Sequence, residues 1–201
     1  IVKICICGTI ALVLASMLVS LLALPRVLDW KIGDLSFHWI DDHGSDEGYT
    51  VGEASVSGEV RELDVSWLSG SVTVELTDGD AVTLREEPQP ESSDARMRWK
   101  LQDGKLTVYS QKSGLTIPTR AKQLTIGIPA GRAGKLQKLS LDLSAASASL
   151  PALTLRELEL DSVSGSVTLT GGSYENLDFD STSGDLTLTS AAVGELSADT
   201  T

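Results

Sequence analysis

With 201 residues the chain has room for one ordinary domain and an appendage. Aromatic residues make up only 4% of it while Ser, Thr, Leu, Val and Gly are plentiful, which suits a β-solenoid better than a core built on aromatic rings. A net charge of −12 is the wrong electrostatic footprint for nucleic acid or anionic lipid headgroups, so no nucleic-acid partner is expected.

From Ile4 to Leu24 no residue is charged. As a helix this run would span roughly 31 Å, the thickness of a bilayer core. A cleaved signal peptide is the alternative, but its best cut, at Leu21-Leu22-Ala23, puts Leu where a small residue is wanted. Residues 1–24 are therefore read as a single-pass transmembrane anchor in the cytoplasmic membrane, with the acidic remainder outside. Cys5 and Cys7 both lie in this run, so nothing downstream can form a disulfide, and in lipid they read as passengers.

Residues 25–50 read as a juxtamembrane tether. Trp30, Phe37 and Trp39 follow the membrane exit, where amphipathic aromatics favour the interface. His38, Asp41, Asp42 and His43 are ligand types for a metal, but no regular spacing places all four on one face, so a solvated linker is expected.

Strand patterning begins near Tyr49 and occupies residues 51–201. Alternating runs flank Asp78-Gly79 and Asp103-Gly104, both strong hairpin signals. Between them, Glu86 to Asp94 contains no apolar residue and two prolines, which predicts a loop; Lys112 to Arg120 predicts another. Leu124, Ile126 and Ile128 alternate as a strand that stops at Pro129.

From Leu136 onward the chain repeats itself every nineteen residues. Leu139, Leu158, Leu177 and Leu196 share one column, and Leu141, Leu160, Phe179 and Ala198 the next. Ala148, Val167 and Leu186 align, as do Leu150, Leu169 and Leu188. A fixed period with two-residue alternation inside it is the signature of a stacked solenoid whose coils cover one another's apolar faces. The pattern predicts that Leu158, Leu160, Val167, Leu169, Leu177, Phe179, Leu186 and Leu188 point inward. The phrase Leu68-Ser-Gly-Ser-Val-Thr-Val74 returns as Val163–Leu169 and Thr182–Leu188, so the early part is expected to use the same unit, with Gly70, Gly165 and Gly184 at one corner. The last line ends after Asp199, before a corner and second strand. This predicts a natural C-terminus at least one coil further on, and self-association through the open coil.

Tyr49-Thr-Val-Gly, Leu63-Asp-Val-Ser-Trp-Leu-Ser-Gly-Ser-Val, Asp103-Gly-Lys-Leu, Leu124-Thr-Ile-Gly-Ile-Pro and the repeated Ser-Gly-Ser/Asp-Val/Leu-Thr-Leu occur in one order after an N-terminal apolar run. In that order they resemble the bacterial "putative adhesin" family, a domain of unknown function on membrane-anchored envelope proteins. The resemblance implies a parallel β-helix exposed outside the cytoplasmic membrane, and it transfers no catalytic residues.

No nucleophile elbow, zinc-protease helix, phosphate loop or dinucleotide fingerprint occurs. The most suggestive constellation is the column Asp142, Asp161, Asp180 and Asp199, one per coil. Each Asp could accept hydrogen bonds from backbone N–H groups in the following corner. The column could instead bind a cation such as Ca²⁺, or hold catalytic carboxylates for glycan cleavage. A second column, Ser149, Thr168 and Thr187, with Thr170 and Thr189 beyond Pro151, reads as a hydroxyl-rich contact surface for glycan or protein; flat Thr ladders also occur in ice-binding solenoids, but Thr is simply a good strand residue.

The expectation is thus an all-β chain: a parallel β-helix, with coils of about 19 residues in its C-terminal part, preceded by one transmembrane helix. The expected role is an adhesin-like interaction module of the cell envelope, with no catalysis and no cofactor, meeting an envelope glycan or protein partner. The alternatives are an accessory protein that senses envelope stress and a polysaccharide-active β-helix enzyme.

Overall fold

The computed structural model describes residues 45–114 and 120–200. The predicted anchor, almost all of the tether and the histidine–aspartate segment lie outside these residues. Among the described residues no helix is long and apolar enough to cross a membrane.

In chain order the strands are β1 (Thr50–Val51), β2 (Ala54–Val56), β3 (Glu62–Thr77), β4 (Val82–Glu87), β5 (Arg98–Gln102), β6 (Lys105–Tyr109) and β7 (Lys122–Pro129). They continue as β8 (Lys138–Leu150), β9 (Thr154–Ser162), β10 (Val167–Thr170), β11 (Ser173–Ser181), β12 (Leu186–Thr189) and β13 (Ala192–Thr200). The repeat builds its coils as predicted. β8, β9, β11 and β13 pair in parallel with Leu139, Leu158, Leu177 and Leu196 directly opposite one another. The second half of β8, β10 and β12 form a second parallel layer in which Ala148, Val167 and Leu186 align. Alternation puts one side chain in two inward on each layer, so the layers face each other across a leucine-rich interior. Leu139, Leu158, Leu160, Val167, Leu169, Leu177 and Phe179 are all at most 3% exposed.

The outermost coil departs from the expected burial. Leu188 is 38% and Leu196 53% exposed, and Leu186 is half-buried. β12 and β13 have no further strand stacked on them among the described residues, so their inward-facing side chains lack the neighbouring coil that covers the others.

The first half of the chain corrects the expectation of a parallel helix throughout. β3 is one long strand that runs through both layers and pairs in parallel with β8 from Glu62 to Thr73. On its other side lie β6 in the first layer and β7 in the second, both parallel to it. Spatial order therefore breaks chain order: β3 sits between strands that follow it in sequence. Beyond β6 come β5 and β1, and beyond β7 come β4 and β2, all antiparallel. Asp103-Gly104 makes the β5–β6 hairpin as predicted, with φ of 54° and 85°. Asp78-Gly79 does not make one, because β7 lies between β3 and β4.

The corner glycines are required for a reason that alternation cannot reveal. A Cβ on Gly165 would stand 1.9 Å from the carbonyl oxygen of Ala146, and one on Gly184 2.1 Å from that of Gly165. Successive coils approach so closely at this corner that only a bare Cα fits. At Gly70 the close approach, 2.0 Å to Lys122 O, coincides with a φ of 109°.

Candidate functional site

Two flat outer faces and one buried polar cluster carry the chemistry. On the first layer the predicted aspartate column is real: Asp142 stands opposite Asp161, Asp161 opposite Asp180, and Asp180 opposite Asp199. Neighbouring members are spaced about 4.8 Å apart by the strands. Glu159 and Asp178 lie two residues back on the same face, directly paired. Lys138 offsets part of this charge, with Nζ 3.1 Å from Glu157 and 2.6 Å from Glu159. That contact holds the Glu159 carboxyl below the usual range and raises Lys138.

Asp161, in the middle of the ladder, titrates unlike an ordinary carboxylate. Loss of hydration between its neighbours, followed by repulsion from Asp142, Asp180, Glu159 and Asp178, pushes it up to about 6. Asp180 is raised for the same reasons, desolvation first, then Asp178 and Asp199. At the corners after Asp161 and Asp180 the next residue makes the hydrogen bonds: the Ser181 hydroxyl accepts from Gly184 N–H at 2.7 Å, and the Ser162 hydroxyl donates to Gly165 O at 3.2 Å. Among the described residues no group of three or more His, Cys, Asp or Glu is arranged to hold a metal ion.

The sign of the pH effect follows from the raised Asp161. The folded chain holds this proton up to about pH 6, whereas the unfolded chain releases it near 3.9. Between those values the folded state binds more protons, so stability rises as pH falls from 7 toward 4. Asp161→Asn removes the repulsion and should raise the melting temperature at pH 7 while flattening its dependence on pH in that window. Asp161 stands on the outer face, where solvent screens part of the repulsion, so the gain is at most about 1 kcal/mol, or about 2–4 °C by calorimetry. A lower melting temperature at pH 7 for the variant would overturn this account of the ladder.

On the second layer the hydroxyl column extends further than the repeat indicates. Thr125 pairs with Thr73, Thr73 with Ser149, Ser149 with Thr168 and Thr168 with Thr187. Five consecutive strands thus present one outward hydroxyl each, over roughly 19 Å. Thr73, Ser149 and Thr187 are exposed, and Thr125 and Thr168 are half-buried. Arg85 continues the row on β4. Thr170 and Thr189 form a shorter row beside it. Every hydroxyl is both donor and acceptor, so the row offers evenly spaced hydrogen-bonding groups to a repeating polar ligand.

The third feature was not anticipated. Glu86, predicted to open a loop, is on β4 and only 1% exposed. Both its oxygens accept from Met97 N–H at 3.1 Å, and Lys122 Nζ lies 2.6 Å from Oε1. Lys122 also donates to the carbonyls of Ala95, at 2.8 Å, and Ser110, and stands 5.0 Å from the centre of the Trp67 ring. Trp67 Nε1 in turn donates to Lys122 O at 3.1 Å. With every polar group satisfied the cluster is a structural lock between β4, β7 and the β6 end, buried behind the outer faces rather than displayed on them.

These features define an all-β domain of stacked coils with two regular, chemically distinct outer faces. The chain belongs to the Toastrack DUF4097 family, whose sequence profile matches residues 60–201, and the resemblance drawn from the motifs therefore holds. Its structure is similar to a "putative cell adhesion protein" from Clostridium sporogenes, with a TM-score of 0.44 and 11% identity over 76% of this chain and 100% of that one. It is similar to a "putative adhesin" from Bacteroides fragilis, with a TM-score of 0.44 and 13% identity over 77% of each chain. A third, from Parabacteroides distasonis, has a TM-score of 0.35 and 15% identity over 76% of this chain and 78% of that one. The sequence matches no curated protein.

Proposed function

We propose that this chain is a membrane-anchored module of the cell envelope whose β domain stands outside the membrane and acts by binding an envelope polymer. The observation that carries the reading is the in-register row Thr125, Thr73, Ser149, Thr168 and Thr187. A flat row of hydroxyls at strand spacing matches a repeating polar chain such as a glycan better than a single small substrate, which needs a concave site. The uncharged run Ile4–Leu24 supports the anchor, and the net charge of −12 keeps such a surface soluble and clear of anionic lipid.

The full chain should remain with membranes after carbonate washing and be reached by protease added to intact cells. It should also co-sediment with isolated envelope polysaccharide. Thr73→Arg combined with Thr168→Arg places two long side chains across the row and should abolish co-sedimentation with the melting temperature unchanged. Undiminished co-sedimentation of this variant would remove the hydroxyl row as the binding face. Release of the chain by carbonate would remove the anchor.

A further inference from the structure

The coils are closed along one seam, where the chain returns from the second layer to the first. Three residues ahead of each member of the leucine column stand Val60, Leu136, Leu155, Tyr174 and Val193, with Tyr174 directly opposite both Leu155 and Val193. Leu136, Leu155 and Tyr174 are at most 3% exposed, so they plug the gap between the layers. On the far side of β3 the column changes character. β6 does not arrive from the second layer; it starts from the two-residue hairpin turn, so Asp103, with φ 54°, holds the place of an apolar side chain.

A cavity of about 300 Å³ opens on the seam at the level of β3, where Val60 and Leu136 line it. Its floor is Leu63, Val82, Ile128 and Leu136, all core residues drawn from both layers. Its rim carries Arg132 and Lys135 on one side and the Ser57–Val60 segment on the other. Arg132 Nη1 donates to Ser57 O at 3.0 Å, which occupies one of the five guanidinium N–H groups. Lys135 lies 3.7 Å from Glu59, and with side chains 60% and 55% exposed this ion pair is weak. Two cations against one carboxylate at the mouth of an apolar cavity is unusual local chemistry for a chain of net charge −12.

We infer that this cavity binds a small amphiphilic monoanion, a carboxylate bearing a short apolar chain. The apolar part lies beside Val60 of the seam, against Leu63, Val82, Ile128 and Leu136. The carboxylate is received at the rim by the planar fork of Arg132, with Lys135 as a second charge. The volume, at the small end of ligand pockets, sets the size class, and Glu59 disfavours a polyanion.

Hexanoate is the probe. The full chain in lipid nanodiscs is titrated by calorimetry, with empty nanodiscs as the blank. Saturable binding with Kd on the order of 1 mM is expected, since so few atoms limit affinity. Arg132→Gln should weaken it at least tenfold. Because Arg132 also tethers Ser57, Lys135→Gln is measured beside it and should weaken binding several-fold with the melting temperature unchanged. Hexylammonium, the same chain with the opposite charge, should give no saturable heat. The proposal is overturned if hexanoate gives no heat above the blank up to about 50 mM, if both variants bind as the parent does, or if hexylammonium binds equally well.

Discussion

Leu160→Asp should leave the β domain unfolded at room temperature, seen as loss of the cooperative urea transition followed by circular dichroism. Leu160 is 1% exposed and lies between Leu141 and Phe179 in the interior of three consecutive coils. The substitution removes a buried side chain worth roughly 2–5 kcal/mol and places in its stead a charge with no partner, at a cost of several kcal/mol more. Domains of this size have about 5–15 kcal/mol to lose. Glu159→Ala, one residue away, points the other way and gives up only a half-exposed ion pair with Lys138, so a loss of about 1 kcal/mol or less is expected. Similar unfolding curves for the two variants would place the wrong set of residues inside.

Lys122→Met should destabilise the domain by about 3–5 kcal/mol, because it leaves the Glu86 carboxylate buried without its counter-charge. The carbonyls of Ala95 and Ser110 lose their donor at the same time, and the Trp67 ring loses its cation. Glu86→Gln in the same chain removes the stranded charge while keeping an acceptor for Met97 N–H, so the double variant should regain a measurable part of the loss. Urea titration of parent, single and double variants provides the cycle. A loss below about 1 kcal/mol for Lys122→Met would mean the pair contributes no more than a surface ion pair does.

Much of the C-terminal half was legible because a strand's faces are a local matter. With side chains alternating strictly, the spacing of Leu139, Leu141, Leu158 and Leu160 decides which face is apolar, and the nineteen-residue period decides what stacks on what. That is why the aspartate column and the Ser149–Thr168–Thr187 row are both legible in the repeat. The extension of the row to Thr73 and Thr125 was hidden, since those strands join it across long insertions rather than at the repeat interval. The place of Glu86 is hidden for a related reason. A charged residue just ahead of Pro88 and Pro90 looks like loop until its partner is known, and Lys122 is brought to it only when β7 packs beside β4.

The sequence by itself therefore determined the strand type, the inward and outward sets, the coil repeat and the family. Tertiary structure alone decided that β3 lies between later strands, that the corner glycines are required by the close approach of a neighbouring coil's carbonyls, that Asp161 resists ionisation, and that a cavity lies beside Leu63. The division has a physical cause. Alternation and repeat are written in neighbours along the chain, whereas close approach, desolvation and a cavity depend on which distant segments meet, and that is settled by long-range pairing alone.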